Sequence, residues 1–197
     1  MARPREFDTD KALREMTLLF WKYGYDGTSM HDIERATGLR KQSLYRAFGD
    51  KRAMYLAALA AYERVEIAES ARLLDIPGDA VTRFGRLFRH IIESATVEGD
   101  RRGCFLCNAS IDQAPLDPET GKLVADMMTR VEQTFATALT AANLAQTGPN
   151  SIRKSARGLM AGYFGLRVLV KAGAARELLE DASERTLSVL RAPDSGA

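Results

Sequence analysis

Apolar residues return every three or four positions along nearly the whole chain, and one-for-one alternation with polar residues is rare. Nine amphipathic segments follow from that period. Leu13, Met16 and Phe20 mark the buried stripe of a first helix, about Thr9 to Tyr23, which Gly24 stops. Thr28 and Ser29 open a short second helix with Met30, Ile33 and Ala36 facing inward. Ser29 and Asp32 have the spacing of a capping box, with Asp in the usual Glu place. Gly38 ends that helix. A third short helix, about Lys41 to Phe48, carries Leu44 and Phe48 on one side. Asp50 is a good N-cap for a long fourth helix, Lys51 to about Leu74, with Met54, Leu59, Tyr62 and Val65. After the break at Asp75-Ile-Pro-Gly78 the period resumes. It runs over Gly78 to Thr96, Cys104 to Gln113, Pro118 to about Leu144, Asn150 to Ala172 and Ala174 to Leu190. The pattern predicts an all-α protein: a three-helix N-terminal part over 1–50, a connecting helix over 51–74, a larger helical bundle over 75–192, and a disordered tail over 193–197.

Residues 29–48 have the plan of a helix-turn-helix. The segment after Gly38 is too short to persist alone, so it depends on Leu44 and Phe48 packing against Ile33 and Phe20. Its other face then points outward with Arg40, Lys41, Gln42, Ser43, Tyr45 and Arg46. Cations, an amide and hydroxyls of this kind bond phosphates and base edges in a major groove. Tyr45 follows Leu44 directly, which turns it about 100° off the apolar stripe. Charge sharpens this picture. The whole chain carries only +2, yet residues 40–52 hold five cations (Arg40, Lys41, Arg46, Lys51, Arg52) against Asp50 alone, leaving the remainder at −2. Arg3 and Arg5 add a basic arm for a neighbouring groove or phosphate.

These residues resemble the N-terminal domain of TetR-family transcriptional regulators. The likeness lies in Gly24-Tyr25, Thr28-Ser29, Ile33, Ala36-x-Gly38, Leu44-Tyr45, Phe48 and Lys51, and it covers about Asp10–Leu59. The resemblance implies that Tyr45 and Lys51 contact phosphate and that Lys41, Gln42, Ser43 and Arg46 lie near base edges. Thr28 is a further DNA-binding candidate. The chain departs from the family pattern at Arg40, where a Ser or Thr often caps the third helix, and at Ala47, where an aromatic often stands. The resemblance also implies an effector-binding and dimerisation role for the C-terminal body. The segment from Arg102 to Ser110, followed by Ala114 to Pro118, resembles one that recurs in a TetR subgroup.

Within that body, helices five to eight are rich in Phe and Met. Phe84, Phe88, Phe105, Met128 and Phe164 are candidates to line a cavity for an apolar effector, with Asn108 and Tyr163 as polar contacts; plain core is the alternative for each. Gly158, Gly162 and Gly165 weaken a helix interior by about 1 kcal/mol each, and close approach of a partner helix is the usual reason. With Leu178 and Leu187 of the last helix they are candidates for a two-fold, four-helix dimer interface. A dimer suits DNA reading, because two half-sites about one turn apart give useful affinity. Buried accommodation of neighbours within a monomer is the competing reading.

Cys104-Phe-Leu-Cys107 places two thiols on one helix face. A redox- or electrophile-sensing regulator is one alternative that this motif keeps open; two small buried apolar residues are the other. Zinc would need more ligands than these cysteines with His31 and His90, so no metal and no cofactor is expected. No phosphate loop, nucleophile elbow or HExxH motif occurs, and catalysis is not expected. A chain 46% hydrophobic and 27% charged is ordinary for a soluble globular protein. Two cysteines cannot build a secreted disulfide framework, the start MARPREFDTDKALRE lacks an apolar signal core, and no run nears about 18 uninterrupted apolar residues. The expectation is a cytoplasmic homodimeric repressor whose partners are double-stranded operator DNA and a small-molecule effector. A helical interaction protein that does not read DNA is the remaining class.

Overall fold

The computed structural model describes residues 8–142 and 148–191. Among them are nine helices and no strand: α1 (Thr9–Tyr23), α2 (Met30–Thr37), α3 (Lys41–Phe48), α4 (Lys51–Leu74), α5 (Ala80–Thr96), α6 (Phe105–Asp112), α7 (Pro118–Ala141), α8 (Pro149–Lys171) and α9 (Arg176–Ser188). None is long and apolar enough to cross a membrane. Arg3, Arg5, Leu144 and the tail over 193–197 lie outside the described residues.

Carboxylates start most of these helices by accepting from otherwise unpaired first-turn N–H groups. Asp8 accepts from Lys11 N at 2.9 Å, Asp50 from Ala53 N at 2.8 Å, Asp79 from Thr82 N at 2.8 Å and Asp117 from Thr120 N at 2.9 Å. The capping box at Ser29 and Asp32 forms in both directions. Asp79 explains why α5 begins two residues after the expected Gly78. The turn after α2 is carried by Gly38 at φ 69°, a left-handed conformation that costs glycine little.

Ile33, Leu44, Phe20 and Met16 are buried together, so α1, α2 and α3 share one apolar centre. Tyr55 of α4 carries that centre into the body. Its ring meets Phe20 at 5.2 Å, Tyr25 at 5.3 Å and Phe105 of α6 at 5.5 Å, each edge-to-face. In the body, α8 packs against α7 and α9, and α5 against α4 and α9. Two sequence expectations fail on α4 and α2. Val65 is 71% exposed, since the stripe of this long helix drifts past it, and Ala36 is only half-buried.

Candidate nucleic-acid interface

The inner face of α3 is fixed by buried Leu44 and half-buried Phe48, which leaves Arg40, Lys41, Gln42, Tyr45 and Arg46 exposed and Ser43 partly so. Tyr45 is 41% exposed, the geometry of a contact residue and not of a core ring. Two lysines are positioned by aromatic faces. Lys41 Nζ lies 5.3 Å above the Tyr45 ring and Lys51 Nζ 4.3 Å above the Tyr25 ring. Tyr25 therefore belongs to this surface as a positioning residue; in the sequence it is visible only as part of a family motif.

The departure at Arg40 has a structural answer. Arg40 gives α3 no side-chain cap, but Glu34 reaches across from α2 and its Oε1 accepts from the Lys41 N–H at 2.6 Å. A carboxylate at this N-terminus does the work of the missing Ser or Thr and favours the helix dipole. Two other expectations are corrected. Thr28 is 1% exposed and its hydroxyl donates to the Gly24 carbonyl at 2.8 Å, so its side chain braces the turn and does not face outward. Arg52 counts toward the basic patch in the sequence, yet its guanidinium is held by Asp117 at 2.7 Å and Glu119 at 2.9 Å. The basic charge of this segment that no carboxylate holds rests on exposed Arg40, Lys41 and Arg46 and on half-buried Lys51.

The Arg52 pair, at the start of α4, is one of several ties that join the N-terminal helices and α4 to the body. Asp112 of α6 accepts from the Tyr25 N–H at 3.3 Å, and Asn108 Nδ2 donates to the Trp21 carbonyl at 3.3 Å. Hydrogen bonds from Thr120, with Arg52 after it, hold the Asp117 carboxyl at about 2, well below the usual carboxylate range. These ties converge on α6 and the start of α7.

The aromatic residues expected to wall an effector cavity pack against one another. Phe84 meets Phe135 at 5.1 Å, Phe135 meets Tyr163 at 5.5 Å and Tyr163 meets Phe164 at 5.4 Å, all edge-to-face. Phe84, Phe88, Phe105 and Tyr163 are core, while Met128 and Phe164 are partly buried beside it. Asn108 does line a cleft of about 580 Å³, together with Tyr23, Cys104, Cys107, Ile111 and Lys171. A second open cleft, about 720 Å³, runs between α4, α5 and α7 past Ile67, Arg83 and Arg130.

Polar groups meet inside the body, among them Glu66 and Arg167, which sequence reasoning passed over. Tyr163 Oη donates to Glu66 at 2.6 Å, Arg167 pairs with Glu66 and donates to Tyr163 Oη at 2.9 Å, and Tyr62 Oη donates to Cys104 Sγ at 3.4 Å. Cys104 and Cys107 are both buried free thiols. Burial opposes ionisation of Cys104, but hydrogen bonds from Cys107, Tyr62 and the backbone outweigh it and bring its thiol down to about 7. The same hydrogen bond, with burial, pushes Cys107 up. Among the described residues no group of His, Cys, Asp and Glu has the arrangement of a metal site.

The glycines of α8 divide. A Cβ on Gly162 would lie 2.1 Å from Thr186 Cγ2, so this glycine lets α9 of its own chain approach. Gly158 and Gly165 face open space. Leu178 of α9 is 50% exposed, whereas Leu187 is buried against α5 and is withdrawn from any outer surface.

Residues 17–58 match the model for bacterial regulatory proteins of the tetR family. Over 96% of this chain and all of the relative, the sequence is 29% identical to the uncharacterized HTH-type transcriptional regulator YezE of Bacillus subtilis (strain 168). It is 30% identical to the HTH-type transcriptional repressor ComR of Escherichia coli (strain K12) over 65% of this chain and 60% of that protein. The fold superposes with a TM-score of 0.82 on a cysteine mutant of the TetR family transcriptional regulator CifR in complex with 26-base-pair double-strand operator DNA. That likeness is at 27% identity and covers 95% of this chain and 98% of the other.

Proposed function

The chain belongs to the tetR family of bacterial regulatory proteins and is a DNA-binding transcriptional regulator, and from that premise we propose that it is a homodimeric repressor released from a palindromic operator by a small molecule. The observation that carries this reading is α3, a two-turn helix apolar on its inner side and presenting Arg40, Lys41, Gln42, Tyr45 and Arg46 on the other. Residues 1–50 form the reading head, α4 connects it, and 75–192 form the effector-binding and dimerisation body. Tyr45 and Lys51 hold phosphate; Lys41, Gln42, Ser43 and Arg46 meet base edges, with Arg3 and Arg5 following the adjacent groove.

A dimer through α8 and α9 is supported by the exposed row Gly158, Ala161, Gly165, Val168 and Ala172 on α8, spaced three and four apart, and by exposed Leu178 on α9. Small side chains let two helices approach closely, and two-fold pairing sets the spacing of the heads. An effector then acts by favouring the dimer state whose heads no longer match the half-sites. The ties at Arg52–Asp117 and Tyr25–Asp112 connect that state to α3.

Selection from a randomised duplex pool tests the reading directly: the expected product is a two-fold site, and no enriched sequence overturns it. On the selected site, affinity falls steeply with salt, and Lys51→Ala lowers the slope of log affinity against log salt by about 1. Gln42→Ala changes the preferred sequence more than the affinity. A second reading has its own support in the Cys104–Cys107–Tyr62 cluster. A peroxide, reduced to water, takes two electrons and two protons from the thiols as the S–S bond closes, and the strained α6 loosens the head. Operator binding that survives peroxide equally in wild type, Cys104→Ser and Cys107→Ser removes it.

A further inference from the structure

α1 ends at Tyr23, and Gly24 turns the chain at φ 73°. In a helix that continued, the Tyr25 N–H would donate to the Trp21 carbonyl four residues back. Here the two groups part, and α6 satisfies both. Asn108 Nδ2 donates to the Trp21 carbonyl at 3.3 Å, and Asp112 Oδ2 accepts from the Tyr25 N–H at 3.3 Å. Asn108 and Asp112 stand one helical turn apart, so they meet the end of α1 from one side of α6. Gly24 lets the carboxylate close in: a Cβ at this position would lie 2.9 Å from Asp112 Oδ2.

Asp112 is the last residue of α6, where the helix dipole disfavours a carboxylate. Its bonds with Tyr25 and with Gln113, whose Nε2 donates to Oδ1 at 3.2 Å, offset that cost. What they hold is the segment that carries the Tyr25 ring. Thr28 closes the same turn: its N–H donates to the Tyr25 carbonyl at 3.3 Å and its hydroxyl to the Gly24 carbonyl at 2.8 Å. The Tyr25 ring lies nearly parallel to Phe20 at 6.4 Å and edge-on to Tyr55 at 5.3 Å. Lys51 Nζ rests 4.3 Å above it. With backbone and ring both fixed, the ammonium has a fixed platform.

We propose that α6 is the clamp that aims Lys51 at DNA: Asn108 and Asp112 are positioning residues that act through Tyr25, and Lys51 makes the phosphate contact. The proposal rests on the regulator reading above, in which Lys51 holds phosphate, and assigns how the body controls that contact. Asn108 and Asp112 also stand in the wall of the cleft of about 580 Å³, beside Gly24 and Gly27. A movement that draws α6 away from α1 breaks both bonds at once, freeing a backbone donor and a backbone acceptor together. The Tyr25 platform is then released, while α3, held by buried Leu44, keeps its packing.

Proton NMR of the full-length protein reads the clamp without DNA. The Tyr25 ring shifts the Lys51 ε-methylene protons upfield, and Asp112→Ala is expected to abolish most of that shift. Asp112→Asn removes the same charge but keeps an acceptor oxygen, and retains the shift. On the selected duplex, Asp112→Ala weakens binding about threefold to tenfold. It also lowers the salt slope by as much as Lys51→Ala does, and added to Lys51→Ala it costs nothing further. Asp112→Asn leaves both readouts near wild type. If Asp112→Ala lacks a cooperative thermal transition, Asn108→Ala, which frees the Trp21 carbonyl, takes its place with the same expectations. A Lys51 shift unchanged in the folded variant, equal behaviour of Asp112→Ala and Asp112→Asn, or an undiminished loss in the Lys51→Ala background overturns the proposal. Lys51→Ala that lowers the salt slope while Asp112→Ala does not refutes the clamp alone. A Lys51 shift that responds as expected while Lys51→Ala leaves the slope unchanged refutes the phosphate role of Lys51 and leaves the hold of α6 on Tyr25 standing.

Discussion

The reading head and the body bury apolar residues by the same helical rule and keep their chemistry in opposite places. In the head, the inner face of α3 is forced by Leu44 and Phe48, so whatever remains is exposed and available to a large partner. In the body, polar groups sit inside, between helices, where Glu66, Arg167 and Tyr163 join one another and Tyr62 meets Cys104. An outward-facing function follows from which residues are left over. An inward-facing one depends on which buried side chains leave space, and that is decided by three-dimensional packing.

The contrast breaks most readily at Phe84. As a core ring fully enclosed against Phe135, it should cost about 3–5 kcal/mol when Phe84→Ala is compared with wild type by denaturant unfolding. Leu44→Ala in the head belongs to the same class, at about 2–5 kcal/mol. A loss well under 1 kcal/mol at Phe84 would return that ring to a cavity wall and blur the distinction between the two regions.

The next largest effect separates the glycines of α8. Gly162→Ala drives a methyl into Thr186 and should destabilise the chain by about 1–3 kcal/mol through overpacking. Gly158→Ala meets nothing among the described residues and should leave folding intact or slightly improved, since alanine is the better helix former. If the row containing Gly158 is a dimer surface, the same substitution raises the monomer fraction in sedimentation. Equal effects of the two substitutions on unfolding would deny the division.

The helix boundaries and the head were legible because local signals agree there: Asp8, Ser29 and Asp50 cap, Gly38 turns, and a stripe of three-four spacing points inward. Four features escaped. Arg52 looks free in the sequence because Asp117 and Glu119, which neutralise it, are 65 or more residues away. Thr28 looks like an exposed cap neighbour, but its hydroxyl turns back to Gly24. The aromatic residues of α5 to α8 have the same spacing whether they close a core or line a cavity, so no one-dimensional pattern distinguishes them. The hold of Asn108 and Asp112 on the end of α1 joins residues 87 apart and has no sequence signature at all.

Glu34 sharpens the comparison on the head's side. Its carboxylate replaces the cap that Arg40 lacks, so Glu34→Ala should cost about 0.5–2 kcal/mol and weaken operator binding as the first turn of α3 frays. Adding Arg40→Ser to Glu34→Ala should restore much of the stability, because a hydroxyl then accepts from the same turn. Failure of that rescue would mean that Glu34 acts through some contact other than the cap.

The smallest effect concerns the tie between the regions. The Asp117 carboxyl titrates at about 2, below the ordinary value of about 3.9, because Thr120 and then Arg52 hydrogen-bond its charged form. A depressed carboxyl contributes its stabilisation fully above the unfolded value and loses it as pH falls through the folded one. The Arg52–Asp117 tie therefore persists at neutral pH and weakens only between about pH 4 and pH 2. In Arg52→Met, the carboxyl midpoint followed by carbon NMR should rise but stay below the ordinary value, since the Thr120 bonds to the other carboxylate oxygen remain. A midpoint that returns fully to the ordinary value would show that the inter-helix pair, and not the cap of α7, holds this charge, and the head would then be bound to the body more tightly than its own cap geometry requires.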